Sequence, residues 1–193
     1  MSNTSGQLVS LNVARVQPLK VGPRSVMSGI GKRPVSGRVD VHSLGLDGDE
    51  QADPSVHGGL AKAVYAYPHE HYPVWRTLRA QAQVSLWDEE LAPGFMGENL
   101  TITGLLEAEA CIGDVLRFPH CALAVSEPRY PCFKFEAVMG FKQAAKMMDA
   151  SGTCGFYLAV REPGSLAAGE MFTVEAGPRE VSIADLFRAR TRR

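Results

Sequence analysis

The chain has 193 residues, 45% of them hydrophobic and 21% charged, with a formal net charge of -1. This composition fits a folded globular chain of one domain and not a disordered one. A charge so near zero supplies no overall basic field for nucleic acid or an anionic membrane.

The polar start, Met1 to Val13, lacks the apolar stretch of a secretory leader. No apolar run reaches bilayer length. The four cysteines, Cys111, Cys121, Cys132 and Cys154, include no Cys-x-x-Cys pair, against a structural zinc site. The expectation is a reduced, cytoplasmic protein without a disulfide framework.

In chain order, the alternation over 8–16 predicts a strand. Residues 20–37, rich in Gly, Pro and Ser with Arg24, Lys32 and Arg33, predict a surface loop. Residues 38–44 predict a short strand. The Gly- and Asp-rich run 45–59 predicts a long loop, and 62–67 another strand. His69, Tyr72, Trp75 and Arg79, at helical spacing after Pro68, predict a helix over 68–81. Gly97-Glu98-Asn99 opens a strand at 100–103. Ile112-Gly113-Asp114 and Ala168-Gly169-Glu170 are two similar turns, each feeding a short alternating strand. A strand over 121–126 ends at Glu127-Pro128, a helix follows over 138–149, a buried strand over 154–160 and a short helix over 183–190. Many short strands and few helices predict a mainly β fold closed into a barrel, since closure removes exposed edges.

Four groups of residues carry candidate chemistry. In Ser126-Glu127-Pro128-Arg129-Tyr130-Pro131-Cys132-Phe133-Lys134, two prolines stiffen a turn that presents Arg129, Cys132 and Lys134. A thiol near two cations gains thiolate character, and the thiolate is both nucleophile and soft metal ligand. Simple burial of Cys132 in a turn is the competing reading. In the loop 45–59, Asp47, Asp49 and Asp53 suit Asx-turns or a hard cation, but the glutamate of a calcium loop is missing. His57 in that loop suits either a structural or a ligand-orienting role. Asn99 offers an amide donor and acceptor to a ring with amide-like edges, or serves the turn. Lys32, Arg33 and Arg38 around Ser36-Gly37 suit a phosphate, or a solvated basic loop.

Taken together and in order, Gly-Leu-Asp-Gly-Asp-Glu-Gln-Ala-Asp-Pro-Ser-Val-His-Gly-Gly, Lys62-Ala63-Val64-Tyr65, Gly97-Glu98-Asn99-Leu100, Ile112-Gly113-Asp114 and Ser126 to Cys132 resemble a MOSC domain. More narrowly they resemble the YiiM-like branch, the molybdenum-dependent 6-hydroxylaminopurine reductases. The resemblance implies a MOSC-type β-barrel over 1–176 with a few short helices. It leaves 177–193 as a short tail, the remnant of a three-helix extension. It implies the molybdenum cofactor, a Mo-pyranopterin, with Cys132 as the metal ligand. Arg129, Asn99, Lys32, Ser36 and Arg38 would hold the pterin and its phosphate, and Asp49 and His57 would join Cys132 in catalysis. Pyridoxal phosphate binding attaches to the family as a general label only. The implied substrate is a small N-hydroxylated compound, with a homodimer as a further expectation. No nicotinamide, flavin or iron–sulfur pattern is present, so an external electron-donor reductase is implied. Two other readings stand beside this one. One is a carrier of the cofactor or of sulfur on Cys132, and the other a thiol nucleophile paired with His57.

Overall fold

The computed structural model describes residues 4–52 and 58–191. Thirteen strands are defined: β1 (Ser5–Val13), β2 (Gln17–Val21), β3 (Arg24–Ser28), β4 (Arg33–Pro34), β5 (Arg38–His42), β6 (Gly45–Leu46), β7 (Val64–Pro68), β8 (Leu100–Thr103), β9 (Val115–Arg117), β10 (Ala122–Pro128), β11 (Phe156–Glu162), β12 (Gly164–Ala167) and β13 (Met171–Glu175). The α-helices are α1 (Tyr72–Gln81), α2 (Phe133–Met139), α3 (Ala144–Ser151) and α4 (Ile183–Thr191). The main sheet runs β13-β9-β10-β11-β7-β8-β1, and β1 pairs back with β13, which closes a seven-strand barrel. The mainly β barrel expected from the sequence is therefore the fold.

All barrel pairings are antiparallel except β7–β8. A parallel pair needs a crossover, and here α1 and the loop to residue 99 supply it. Tyr72, Trp75 and Arg79 form the buried face of α1. Trp75 Nε1 donates to the Tyr67 hydroxyl at 2.6 Å, which seats α1 on β7. Every residue of β7 is buried, as a strand covered on both faces requires.

Local differences from expectation have local causes. Residues 20–37 are not one loop, because a two-residue Gly22-Pro23 turn joins β2 to β3 as a hairpin. Strand β1 stops at Val13, not at residue 16. Beyond it, the N–H groups of Ala14 and Val16 are taken by the carboxylates of Asp49 and Glu50 at 2.8 and 2.7 Å. Pro68 closes β7 instead of opening a helix, and Pro73 occupies the first turn of α1. The helix expected over 138–149 is two helices. Gly140 takes a left-handed conformation, φ 83, and its N–H returns to the Glu136 carbonyl, ending α2. The segment after residue 176 contributes to the core through Ile183 and Phe187, both fully buried on α4.

Gly155, before β11, is left-handed with φ +65, and a Cβ there would stand 2.5 Å from the Ala66 carbonyl oxygen and under 3 Å from the Tyr65 and Tyr67 rings. Gly155→Ala is expected to cost about 2–5 kcal/mol, the left-handed penalty plus overpacking. Gly152, also left-handed, has open space where its Cβ would go. Gly152→Ala should cost only about 1–2 kcal/mol. Urea unfolding of the two variants measures the difference, and equal costs would contradict the packing described.

Candidate functional site

One cleft gathers residues from distant parts of the chain. It encloses about 680 Å³ counting its open mouth, and is lined by the end of β3 and the residues after it, by 49–52, and by Tyr65, Asn99, Arg129, Cys132, Lys134 and Tyr157. Lys32 and Lys62 also line it. Lining cations thus number four, Lys32, Lys62, Arg129 and Lys134, against two carboxylates, Asp49 and Glu50.

One wall is a buried polar knot. Lys32 Nζ lies 2.5 Å from Asp49 Oδ1, with the two side chains only 8% and 4% exposed. Asp49 also accepts from the Ala14 N–H at 2.8 Å and from Asn99 Nδ2 at 2.9 Å. Asn99 Nδ2 donates to the Asn12 carbonyl at 3.2 Å, and Asn99 Oδ1 accepts from the Tyr65 N–H at 3.1 Å. Asn99 was expected either to present its amide to a ring or to serve the turn. Its donors are instead committed to the protein, so it builds the wall between β7, β8 and Asp49. Beside it, fully buried Glu98 accepts from the Tyr72 hydroxyl at 2.5 Å, from the Thr101 hydroxyl at 2.6 Å and from the Gly94 and Met96 N–H groups. Burial raises the Glu98 pKa against the pull of these donors. Glu98 thereby shapes the 94–98 loop, whose Met96 and Gly97 line the cleft.

Arg129, at the end of β10, is the electrostatic centre. It is buried, with 5% exposure. Its guanidinium carbon lies 4.7 Å from the Phe135 ring centroid and 5.7 Å from that of Tyr65, and Nη1 lies 3.6 Å from Met148 Sδ. Among the described residues it forms no ion pair with a carboxylate. Burial opposes its charge, the ionised forms of Tyr65, Tyr157 and Cys132 favour it, and its pKa stands above the ordinary arginine value. A buried cation held by aromatic faces keeps its charge available to an incoming anion.

Cys132 follows Pro131 in extended conformation, and its carbonyl accepts from the Phe135 N–H at 2.9 Å as α2 begins. It is half-buried and lines the cleft, whereas Cys111, Cys121 and Cys154 are buried. None of the four is in a disulfide. Among the described residues, no three metal-ligating side chains cluster. A metal held by Cys132 and these residues would therefore take its other ligands from a bound group or solvent.

The cleft brings together Lys32, Asp49, Asn99, Arg129 and Cys132 of the residues singled out in the sequence. Ser36 and Arg38 lie outside it. Ser36 is exposed, and Arg38 on β5 is spent on Glu170 at 2.7 Å and the Ser165 hydroxyl at 3.3 Å. His57 falls outside the described residues. Tyr157 was missed, because a single aromatic in an apolar strand carries no sign of facing a cleft. No helix among the described residues is long and apolar enough to cross a membrane.

Thiol labelling tests this geometry. Burial pushes the Cys121 thiol up to about 12 and raises that of Cys154, so both stay protonated at neutral pH. Iodoacetamide is expected to modify one cysteine rapidly in the native protein, and Cys132→Ser should abolish that phase. A fast phase surviving in Cys132→Ser would contradict the site.

Residues 53–173 match the protein family described as MOSC domain. The YflK protein of Bacillus subtilis (strain 168) is 36% identical over 177 residues, covering 91% of this chain and 76% of that protein. The YiiM protein of Escherichia coli (strain K12) is 35% identical, covering 84% of this chain and 70% of its own. A protein of Gibberella moniliformis named "Reductase" is 32% identical over 90% of this chain, which is 30% of that protein. The crystal structure of YiiM from Geobacillus stearothermophilus superimposes with a TM-score of 0.75 at 29% identity, covering 96% of this chain and 84% of that one.

Proposed function

The chain belongs to the MOSC domain family as a YiiM-like member, and on that premise we propose that it is a molybdenum-cofactor-dependent reductase of N-hydroxylated bases or related N-oxygenated compounds. The observation that carries this reading is the pairing, in one cleft, of a buried Arg129 that forms no ion pair with a carboxylate among the described residues and the half-buried Cys132. A shared fold alone would not carry it. The name of the Gibberella relative agrees with a reductive role.

The lining suits an anionic group with a soft metal. Cys132 offers one thiolate, the ligand type such a metal prefers. Arg129, with no carboxylate ion pair among the described residues, supplies a buried charge for an anionic portion, and Lys32, Lys62 and Lys134 add positive potential around it. When bound, the molybdenum cofactor supplies a two-electron redox centre. The chain's own residues then have separate tasks. Cys132 anchors, Arg129 neutralises and orients, and the Tyr65 and Tyr157 rings wall the cleft against bulk water. The Lys32 ammonium, held by Asp49, stands ready to hydrogen-bond an oxygen at the cleft surface. The overall conversion takes R–NHOH, two electrons and two protons to R–NH2 and water. The electrons come from an external reductase in this proposal.

The experiment is elemental and pterin analysis of protein made in a cofactor-producing host, with turnover of 6-hydroxylaminopurine by an artificial electron donor. The expected result is bound molybdenum and reduction of the substrate. Cys132→Ser should lose both while keeping the thermal midpoint. Arg129→Ala should weaken cofactor binding about tenfold or more, as loss of a charged hydrogen bond worth about 1.5–3 kcal/mol implies. Full molybdenum occupancy in Cys132→Ser would overturn the proposal, and occupancy without turnover would favour a cofactor carrier.

A further inference from the structure

The turn bearing Arg129 and Cys132 is framed by Pro128 and Pro131. Prolines stiffen such a segment internally, but they do not fix where it sits. Something outside the turn must hold it against the barrel. The residue between Arg129 and the second proline is Tyr130, and its ring does not line the cleft. It faces α4 instead. Phe187 stacks on it at 5.3 Å with the rings 13° from parallel, and the Arg190 guanidinium lies 4.2 Å from its centroid.

Helix α4 is itself well anchored. Ser182 Oγ accepts from the Asp185 N–H at 3.1 Å, an N-terminal cap. The Ile183 and Ala184 N–H groups donate to the Ala110 and Glu107 carbonyls at 2.8 and 3.0 Å. Phe187 has no exposed surface. No residue of α4 lines the cleft. Its contact with Tyr130 therefore acts on the site only through the turn.

We propose that α4 is a clamp: Phe187 and Arg190 hold the Tyr130 ring, and thereby set where Arg129 and Cys132 stand in the cleft. These three are positioning residues, not catalytic ones. The inference concerns the protein's own geometry and holds for whatever ligand the cleft takes, so failure of the redox reading leaves it standing.

The test measures the iodoacetamide labelling rate of Cys132 in cofactor-free, full-length protein, alongside the thermal midpoint. A half-buried thiol is labelled faster when the turn that carries it moves outward, which a loosened clamp favours. Arg190→Ala is expected to speed labelling about two- to fivefold, the size of one exposed cation–π contact, with little change in midpoint. Arg190→Lys, which retains a cation over the ring, should recover part of the wild-type rate. Arg188→Ala is the control, since Arg188 lies on the same helix but pairs with Asp185 at 3.7 Å. Wild-type labelling in Arg190→Ala would overturn the proposal. An equal acceleration in Arg188→Ala would overturn it too, because any loosening of α4 would then suffice.

Discussion

A guanidinium buried without a carboxylate partner among the described residues is the constraint on which the site depends. Taking a charge out of water is costly, and proteins ordinarily offset that with an opposite charge close by. Arg129 has aromatic faces and a thioether instead. Cation–π contacts fix the orientation of the group and recover part of the lost hydration, but they leave its charge uncancelled. A cleft built around such a cation has an electrostatic need that an anionic ligand meets. Perturbed charges of this kind concentrate at functional sites.

The rest of the cleft reads as a frame for that cation and the neighbouring thiol. Arg129 forms no ion pair with a carboxylate among the described residues, whereas Lys32 is paired with Asp49, and Asp49 is in turn held by Asn99 and the Ala14 N–H. The contrast separates two jobs. The Lys32–Asp49–Asn99 knot fixes a wall, with its hydrogen-bonding capacity largely used within the protein. Arg129 and Cys132 line the same cleft, where the proposed ligand would meet them. Glu98, fully buried under four donors, shapes the adjoining loop and takes no part at the surface.

Some of this was legible in the residues themselves. The two Gly-acidic turns at 113–114 and 169–170 mark β9 and β13, which pair with one another in the closed sheet. There a local signal reports local chemistry: Asp114 accepts from the Cys111 N–H at 3.0 Å, and Glu170 from the Ala167 N–H at 3.2 Å. The proline-framed turn at Cys132 was legible for the same reason. What escaped depends on partners far along the chain. Nothing near Arg38 announces Glu170, 132 positions away, which takes its charge. Asn99 looked available because Asp49 and Asn12 are distant in sequence. The β2–β3 hairpin hid in a Gly- and Pro-rich run, and α2 and α3 looked continuous because apolar spacing carries across Gly140. Periodicity reports which side chains seek burial, not where the backbone breaks.

The most direct test is the unfolding free energy of the cofactor-free protein with Arg129→Met, an apolar side chain of similar reach. If the Arg129 charge lacks an internal partner, the substitution should leave stability within about 1 kcal/mol of the wild type or raise it, because a buried charge is exchanged for well-packed apolar surface. A loss of about 3–5 kcal/mol, the cost of breaking a buried ion pair, would show that the charge is already answered within the fold, and would contradict the account of the cleft as a receptor for an anionic group.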